Sequence, residues 1–264
     1  MITSANNEKI KNIVKLLSNS KARRTQQAFV VEGDRIAGEI PPGRILECFV
    51  SESFAANKSS RLMEILGNRF TEGDYETVDD SVFRKMSDTQ NPQGILCVVG
   101  IEQTDLSDFL SQKESGVLRL LILEGIQDPG NLGTMIRTAE GAGFDAVIAD
   151  RNTADLYNPK VTRSTMGSMF RVPVIYTDNL PEAVKQIQSK GITTYAAHLE
   201  GENDFYEESY PERIGILIGN EGNGLSDEIS EIADKRVKIP MKGKLESLNA
   251  AVAAALLMYE AGKC

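Results

Sequence analysis

The sequence contains only one histidine, His198, and three cysteines, and these small numbers exclude several kinds of site. A single histidine cannot supply a histidine-rich metal centre or the paired histidines of a zinc-protease helix. The cysteines, Cys48, Cys97 and Cys264, form no C-x-x-C pair, which argues against a zinc ribbon, a redox pair or a disulfide framework. We therefore expect no metal site and a reducing, cytoplasmic environment.

Long apolar runs and several common motifs are also missing. The longest near-apolar run, residues 250–259, is about half of what a membrane span needs, and residues 3–11 are polar where a signal peptide would be apolar. There is no G-x-S-x-G motif, and the glycines at 219, 222 and 224 match neither G-x-G-x-x-G nor a P-loop. We expect no membrane contact, and a serine hydrolase, a dinucleotide-binding enzyme and an NTPase are disfavoured.

Length and composition indicate a folded protein with two domains. The 264 residues are 41% hydrophobic and 25% charged, close to the averages of globular proteins. The net charge is −9, and residues 1–102 hold 13 basic and 14 acidic residues, so nearly all of the excess negative charge lies after them. Broad, non-specific binding of nucleic acid is therefore disfavoured.

A basic cluster nevertheless stands near the N-terminus. Lys21, Arg23 and Arg24 lie within four positions, in a stretch (1–44) that holds 8 basic and 4 acidic residues. Such a local patch can bind phosphates on an acidic protein. From charge alone, an ordinary solvated helix end is the better interpretation.

Hydrophobic periodicity predicts a small α/β domain over residues 1–102. The expected strands are 28–31, 45–50, 75–78 and 95–99, and the expected helices are 9–17, 62–66 and 81–86. Cys48 and Cys97 fall in two of these strands and are predicted core residues. The polar stretch 103–116 is the predicted linker, with room for one short helix.

Residues 117–264 alternate between strand and helix patterns and predict a parallel sheet covered on both faces. Strands are expected at 117–123, 146–149, 174–176, 193–197, 214–218 and 236–239, and helices at 134–142, 181–189, 227–233 and 248–261. Ligands of such sheets normally lie beyond the carboxyl ends of the strands. The turns that follow strands are therefore the candidate functional segments.

Two of these turns carry unusual residues. After the strand at 117–123, Asp-Pro-Gly leads to Asn131, the expected N-cap of a helix that carries Arg137. After the strand at 214–218, Gly219 opens a glycine cluster that includes Glu221. Clustered glycines let a backbone approach a ligand closely. A carboxylate among them suits a hydroxyl, an ammonium or an arginine better than a pyrophosphate.

A third turn follows the strand at 236–239 and leads to an alanine-rich helix, for which Ser247 is the expected N-cap. Each turn alone also has an ordinary interpretation, because turn geometry, a solvated arginine and a capped helix need no function. The conjunction of the three is what points to a functional site.

Together the three segments resemble the three motifs of the SpoU (TrmH-like) RNA methyltransferases, in the same order and spacing. The matching stretches are N-L-G-T-M-I-R at 131–137, I-G-N-E-G-N-G-L at 218–225 and I-P-M-K-G-K-L-E-S-L-N at 239–249. The resemblance covers residues 117–264, and Ala250 is a mild departure where a β-branched residue is common. A weaker resemblance links K-A-R-R-T-Q-Q-A-F-V-V-E-G at 21–33 to the ribosomal-protein-like RNA-binding domain of many members.

This resemblance implies a fold that the general rules exclude by default, since true knots are rare. It implies a SPOUT-like domain over 117–264 with a deep trefoil knot, in which the chain after Ile239 passes through a preceding loop. It also implies a homodimer formed by this domain, with the partner's residues beside the pocket. Residues 1–102 would be the domain that binds the substrate RNA.

The resemblance further implies S-adenosylmethionine as methyl donor and a ribose 2′-hydroxyl of structured RNA as acceptor. Neither a metal nor a second cofactor is needed. The implied catalytic residues are Arg137, Asn131, Glu221, Ser247 and Asn249, the implied cofactor-binding residues are Leu199, Gly219, Asn220, Ile239, Met241 and Leu248, and the implied RNA-binding residues are Lys21, Arg23 and Arg24.

Chemistry constrains the role of Arg137, because a guanidinium keeps its proton and is a poor general base. We expect it to hold a neighbouring phosphate and to stabilise the developing alkoxide, while a phosphate or a water accepts the proton. Arg137 acting as the base is the competing version. Glu221 would orient Arg137 or the ribose, and His198 would line the cofactor pocket through its backbone rather than act as an acid or base.

Two alternatives to a ribosomal RNA methyltransferase stay open: a tRNA ribose methyltransferase, and a non-catalytic RNA-binding or ribosome-assembly protein on the same scaffold. A non-catalytic protein would not need Asn131, Arg137 and Glu221, all of which are present. The extra N-terminal domain favours 23S rRNA over tRNA.

Overall fold

The computed structural model describes residues 1–57, 59–67 and 74–263, so Cys264 lies outside the described residues. The chain divides into two compact units. The first unit contains Met1–Glu102 and Tyr157–Phe170, and the second contains Gln103–Leu156 and Arg171–Cys264. Residues 157–170, which the sequence-based boundaries assigned to the second domain, thus group with the first unit. Within the described residues, no helix has both the length and the apolar character that a bilayer span requires.

The strands agree closely with those predicted from the sequence. The helices are α1 (Glu8–Ser18), α2 (Ser20–Gln26), α3 (Asp34–Ala37), α4 (Glu52–Asn57), α5 (Ser59–Leu66), α6 (Asp80–Met86), α7 (Leu106–Ser111), α8 (Pro129–Gly141), α9 (Pro159–Thr165), α10 (Leu180–Ser189), α11 (Asp227–Ile232) and α12 (Ala250–Ala261). The strands are β1 (Ala28–Glu32), β2 (Ile45–Ser51), β3 (Glu76–Val78), β4 (Ile95–Gly100), β5 (Leu118–Leu123), β6 (Ala146–Asp150), β7 (Val174–Thr177), β8 (Thr193–Ala197), β9 (Asn203–Asp204), β10 (Arg213–Ile218) and β11 (Lys235–Lys238). Every predicted strand is present, whereas α2, α3, α4, α9 and β9 were not predicted.

The first unit is built on a four-stranded sheet in the order β1-β4-β2-β3. Strand β4 is antiparallel to both β1 and β2, and β3 is parallel to β2. The amphipathic helix α1 buries Ile10, Ile13 and Leu16 in the core of this unit. Cys48 and Cys97 face each other across β2 and β4, and both are buried and free, as expected of core residues.

The second unit is built on a seven-stranded, entirely parallel sheet in the order β7-β6-β5-β10-β8-β11-β9. The central strands β5 and β10 are apolar and buried on both faces apart from one partly exposed arginine each, Arg119 and Arg213, as parallel strands usually are. Helices α7, α10 and α11 share one core cluster with the sheet. Helix α12 packs against α8 and β10. The α/β fold with a parallel sheet is therefore confirmed.

Helix α7 lies in the stretch that the sequence predicted to be a linker. Leu106 and Leu110 are buried in the core cluster of the second unit, beside Val184 and Ile187 of α10. Asp105 caps this helix by accepting hydrogen bonds from the amides of Ser107 and Asp108. The short helix that the sequence allowed for in 103–116 is therefore present, and it belongs to the core of the second unit rather than to a free linker.

Candidate functional site

The first predicted turn connects β5 to α8, and its helix starts earlier than predicted. Asp128 is the N-cap, because its carboxylate accepts a hydrogen bond from the amide of Asn131 at 2.9 Å. Pro129 occupies the first helical position, where proline is favoured because no amide hydrogen is needed. The prediction of Asn131 as N-cap is therefore wrong. Asn131 lies inside the first turn of α8, and its side-chain amide is left to make tertiary contacts.

The third predicted turn ends at Asn249, which is the N-cap of α12. Its Oδ1 accepts hydrogen bonds from the amides of Ala251 at 2.9 Å and Val252 at 3.3 Å. The prediction of Ser247 as the cap is wrong, since Ser247 lies exposed in the loop before the helix. Asn249 also donates from Nδ2 to Oδ1 of Asn131 at 3.0 Å, which joins the starts of α8 and α12.

Glu221, from the second turn, completes this network. Its carboxylate accepts hydrogen bonds from Nδ2 of Asn131 at 3.0 Å and from the amides of Gln127 at 3.1 Å and Asp128 at 3.0 Å. Partial burial alone would raise the pKa of Glu221, but these three hydrogen bonds outweigh it, so its pKa lies below the ordinary value. Glu221 is therefore an ionised anchor for the β5–α8 loop and for Asn131.

Four of the predicted catalytic residues meet in one open cleft of ≈ 710 Å³. Asn131, Glu221, Ser247 and Asn249 all line it, together with Leu248. They come from three loops that are far apart in the sequence. The structure thus brings the three motifs to one place.

Arg137 is not part of the lining of this cleft. It lies on α8 six residues after Asn131, which is about 9 Å along a helix axis. Its side chain is exposed and makes no hydrogen bond or ion pair with any described residue. Glu221 does not contact Arg137, so the expected orientation of Arg137 by Glu221 is not present. Its guanidinium is available to a bound ligand.

The glycine cluster of the second turn is held together by Asn220. Its backbone exchanges two hydrogen bonds with Gly224, at 3.0 and 2.9 Å, and its Oδ1 accepts from the amides of Gly222 and Asn223. Its Nδ2 donates to the carbonyl of Gly125 at 2.7 Å. Both the backbone and the side chain of Asn220 are therefore engaged within the protein, and Asn220 fixes the shape of the glycine cluster.

Gly219 is required by a close approach of the backbone. A Cβ atom at this position would lie 2.1 Å from the carbonyl carbon of Gly224, which no side chain tolerates. The strand β10 can turn into the glycine cluster only because this position has no side chain.

The predicted cofactor-binding residues lie at one edge of the sheet. Leu199, Gly219 and Ile239 follow the carboxyl ends of β8, β10 and β11, which are neighbours in the sheet and parallel. Leu199 is 67% exposed, and Ile239, Met241 and Leu248 are partly exposed. The backbone groups of Leu199, Ile239 and Leu248 have no hydrogen-bond partner among the described residues. This edge therefore offers apolar side chains and free backbone groups.

His198 has a structural role at this edge. Its Nδ1 accepts a hydrogen bond from the amide of Glu200 at 3.1 Å, and its own amide donates to the carbonyl of Val237 at 3.0 Å. These bonds close the turn that presents Leu199. Across the part of the chain that the structure describes, no three His, Cys, Asp or Glu side chains are grouped so as to hold a metal ion.

The predicted basic patch of the first unit loses one of its three members. Arg23 is only 4% exposed, and its Nη1 donates to the carbonyls of Leu16 at 2.7 Å and Leu17 at 3.2 Å. These carbonyls end α1, where a cation is favourable and acceptors need partners. Lys21 and Arg24 are exposed. Arg23 therefore stabilises the α1–α2 corner. The sequence missed this because charge alone does not distinguish a buried basic residue from its two exposed neighbours in the cluster.

Fold and site together define an α/β protein whose functional edge is built from three loops that follow parallel strands. Residues 118–259 match the family model described as the SpoU rRNA Methylase family, and residues 7–97 match that of the MRM3-like substrate binding domain. The chain belongs to the SpoU rRNA methylase family. The family predicted from the three motifs is thereby confirmed.

Relatives of known name agree over nearly the whole length. The chain is 34% identical to the 23S rRNA (guanosine(2553)-2′-O)-methyltransferase RlmP of Bacillus subtilis (strain 168), over 98% of this chain and 97% of that protein. The AdoMet-bound rRNA methyltransferase from Sinorhizobium meliloti has a TM-score of 0.83 and 27% identity, covering 98% of this chain and 96% of that one. The SpoU methyltransferase AviRb from Streptomyces viridochromogenes, in complex with AdoMet, has a TM-score of 0.84 and 26% identity, covering 97% and 98%.

Proposed function

We propose that this protein transfers a methyl group from S-adenosylmethionine to a ribose 2′-hydroxyl in structured RNA, with 23S rRNA as the substrate. The observation that carries the proposal is the convergence of Asn131, Glu221 and Asn249 from three motifs on one cleft. The similarity to RlmP, named as a 23S rRNA 2′-O-methyltransferase, supports the choice of substrate. A cytoplasmic location accords with that substrate.

The residues at the sheet edge fit S-adenosylmethionine. An adenine ring needs apolar contacts and a few backbone hydrogen bonds, and the loop residues Leu199, Ile239 and Leu248 supply both. Gly219 and Met241 would complete the binding site, together with Asn220, which fixes the shape of the glycine cluster. When bound, the cofactor supplies a methyl group made electrophilic by its sulfonium.

The protein's own residues would position the ribose and stabilise charge. Arg137, exposed and without a partner among the described residues, would hold a phosphate and stabilise the alkoxide that develops as the 2′-hydroxyl loses its proton. A phosphate oxygen or a water would accept that proton. Asn131, fixed by Glu221 and Asn249, and Ser247 would hydrogen-bond the nucleotide.

The first unit would bind the substrate RNA outside the cleft. Its match to an MRM3-like substrate binding domain supports this assignment over 1–102. Lys21 and Arg24, exposed on α2, would contact phosphates. Residues 117–264 would form the methyltransferase domain, and 103–116 would join the two through α7.

We also propose that the second unit contains the trefoil knot of this family and forms a homodimer. The backbone of Gly201 lies so close to that of Val237 that a Cβ atom on Gly201 would be 2.4 Å from the carbonyl carbon of Val237, which accords with tightly packed knot loops.

The exposed face of α12 supports the homodimer. Val252, Leu256 and Tyr259 are 48%, 39% and 56% exposed beside a mainly apolar cleft, and a second copy of the chain would cover them. Sedimentation should give a dimer for the wild type and a monomer for Leu256→Glu, and a monomeric wild type would overturn this proposal.

Alkaline hydrolysis of methylated RNA tests the function. In vitro transcripts of 23S rRNA and of tRNA are incubated with S-adenosylmethionine that carries a labelled methyl group, and Arg137→Ala protein serves as the matched control. A ribose 2′-O-methyl group blocks alkaline cleavage, which needs that hydroxyl, so label on 23S rRNA should appear in alkali-resistant dinucleotides. Label only on tRNA supports the tRNA alternative, and label in mononucleotides overturns the ribose assignment. RNA binding without any methyl transfer supports the non-catalytic alternative.

A further inference from the structure

Two residues outside the three motifs accept hydrogen bonds from the backbone of the β5–α8 loop. Oδ1 of Asp150, the last residue of β6, accepts a hydrogen bond from the amide of Gly125 at 2.9 Å. The hydroxyl of Thr153 accepts one from the amide of Ile126 at 3.2 Å. The carbonyl of Ile126 in turn accepts a hydrogen bond from the amide of Ala154 at 2.8 Å.

Asp150 and Thr153 form one rigid group. The same Oδ1 of Asp150 accepts hydrogen bonds from the amide of Thr153 at 3.0 Å and from its hydroxyl at 2.7 Å. The Thr153 hydroxyl therefore donates a hydrogen bond to Asp150 and accepts one from the amide of Ile126. Asp150 is 8% exposed and Thr153 is 5% exposed. Buried hydrogen bonds to a carboxylate are stronger than neutral ones, so Asp150 and Thr153 hold the backbone of the loop in one position.

The opposite side of the loop is held by the second motif. The carbonyl of Gly125 accepts a hydrogen bond from Asn220, and the amides of Gln127 and Asp128 donate to Glu221. Gly125 has a φ of +64°, a conformation that favours glycine and lets the chain turn sharply between the two supports. The loop is thus clamped between the end of β6 and the glycine cluster.

We propose that Asp150 and Thr153 are positioning residues for methyl transfer. By fixing Gly125 and Ile126, they direct the amides of Gln127 and Asp128 toward Glu221, and Glu221 holds the side-chain amide of Asn131 in the cleft. Neither residue lines the cleft, so they act through the loop. The inference rests on the proposed function, although the clamp itself is a property of the fold.

The sharpest test replaces the hydroxyl of Thr153 without changing the shape of the side chain. Thr153→Val removes both hydrogen bonds of the hydroxyl, and Thr153→Ser keeps them. We expect Thr153→Val to lower kcat about tenfold to a hundredfold, the range for a small displacement of a reacting group, with little change in KM for RNA or in Kd for S-adenosylmethionine. Thr153→Ser should restore kcat to within about twofold of wild type.

The chain offers a matched control at the other end of the sheet. Thr194, near the start of β8, is fully buried and donates from its hydroxyl to Asp234 at 2.8 Å. Thr194→Val therefore removes a comparable threonine–aspartate hydrogen bond in the same unit. The same hydroxyl also accepts hydrogen bonds from Nε2 of Gln188 at 2.9 Å and from the amide of Asp234 at 3.0 Å. Thr194→Val should therefore lower the melting temperature at least as much as Thr153→Val does, but leave kcat unchanged at temperatures well below melting.

Amide hydrogen exchange gives a readout that does not depend on activity. Exchange at Ile126 should be at least tenfold faster in Thr153→Val than in wild type, and unchanged in Thr194→Val. Wild-type kcat in Thr153→Val, or unchanged exchange at Ile126, would overturn the proposal. If the wild type itself methylates no RNA, the proposed function fails, while faster exchange at Ile126 would still establish the clamp.

Discussion

Asn249 donates a hydrogen bond from Nδ2 to Oδ1 of Asn131 over 3.0 Å, although 118 positions separate the two residues. Each asparagine uses both ends of its amide, because Oδ1 of Asn249 caps α12 and Nδ2 of Asn131 donates to Glu221. Their orientations are therefore fixed at both ends. The cleft depends on the amide groups themselves, and side chains of similar size without both a donor and an acceptor cannot replace them.

Replacing Asn249 by aspartate should separate capping from the contact with Asn131. Aspartate is as good an N-cap as asparagine, but it has no donor for Oδ1 of Asn131 and places a carboxylate oxygen against it. We expect Asn249→Asp to keep the capping contribution to stability and to slow methyl transfer at saturating substrates. Asn249→Ala, which loses the cap as well, should also cost about 1 kcal/mol in unfolding free energy. Thermal unfolding and kcat measure the two effects, and a wild-type rate in Asn249→Asp would contradict this reasoning.

The sequence predicted the regular elements of this fold well because their signal is local. Alternation and apolar runs located every strand that it proposed to within one residue at each end. The signal is strongest for β5 and β10, which are buried at every position but one. The same local signals allowed for α7 through the helical spacing of Leu106, Phe109 and Leu110, but its polar surroundings led to the assignment of 103–116 as a linker. The sequence-based boundary does not show that residues 157–170 group in space with the first unit, because local periodicity carries no information about long-range contacts.

At the site, the motifs indicated four catalytic candidates that the structure brings to one cleft, but they did not indicate the hydrogen bonds between these residues. The caps of α8 and α12 were each misplaced by two or three residues, since Asp128, Asn131, Ser247 and Asn249 are all good capping residues. The link from Asn249 through Asn131 to Glu221 joins three distant segments and could not be seen in one sequence. Asp150 and Thr153 carried no signal beyond a polar residue at the end of a strand.

Glu221 should make stability depend on pH in the acid range. Its pKa is lowered in the folded protein, so its stabilising effect is complete above the ordinary glutamate pKa and is lost as the pH falls through the folded value. At pH 7, Glu221→Gln should lower the unfolding free energy by about 1 kcal/mol, a modest figure because the carboxylate is exposed to solvent. Below the folded pKa, the difference between variant and wild type should shrink. Urea unfolding from pH 7 down to pH 3 measures it, and a pH-independent difference would contradict the assignment.

The two exposed basic residues of α2 should affect RNA binding without affecting stability. Each phosphate contact contributes about 0.7 to 0.9 to the slope of log affinity against log salt. Lys21→Ala with Arg24→Ala should therefore flatten that slope by about 1.4 to 1.8 units and leave the affinity for S-adenosylmethionine unchanged. Binding titrations at several salt concentrations test this, and an unchanged slope would mean that α2 does not contact RNA.

Arg23→Ala is the matched control for that experiment. Removing its buried guanidinium leaves the carbonyls of Leu16 and Leu17 without this donor. We expect a loss of about 2 kcal/mol in unfolding free energy, as for a buried hydrogen bond to a charged group, and a salt slope like that of the wild type in protein that remains folded. A flattened slope in Arg23→Ala would show that the buried residue contributes to the RNA contact.

Arg137 should be required for methyl transfer but not for the fold. Its side chain is exposed and has no partner among the described residues, so Arg137→Ala leaves no buried group unsatisfied. If the guanidinium stabilises the developing alkoxide, Arg137→Ala should slow single-turnover methyl transfer by roughly a hundredfold or more, with the melting temperature and cofactor affinity unchanged. Arg151→Ala, which removes another exposed arginine of the second unit, should retain the wild-type rate.

Arg137→Lys keeps the charge of the side chain but loses the planar guanidinium. A near-wild-type rate in Arg137→Lys would show that a point charge suffices, and a severe loss would show bidentate hydrogen bonding to phosphate or ribose. A full single-turnover rate in Arg137→Ala, or an effect on melting temperature alone, would remove Arg137 from the reaction.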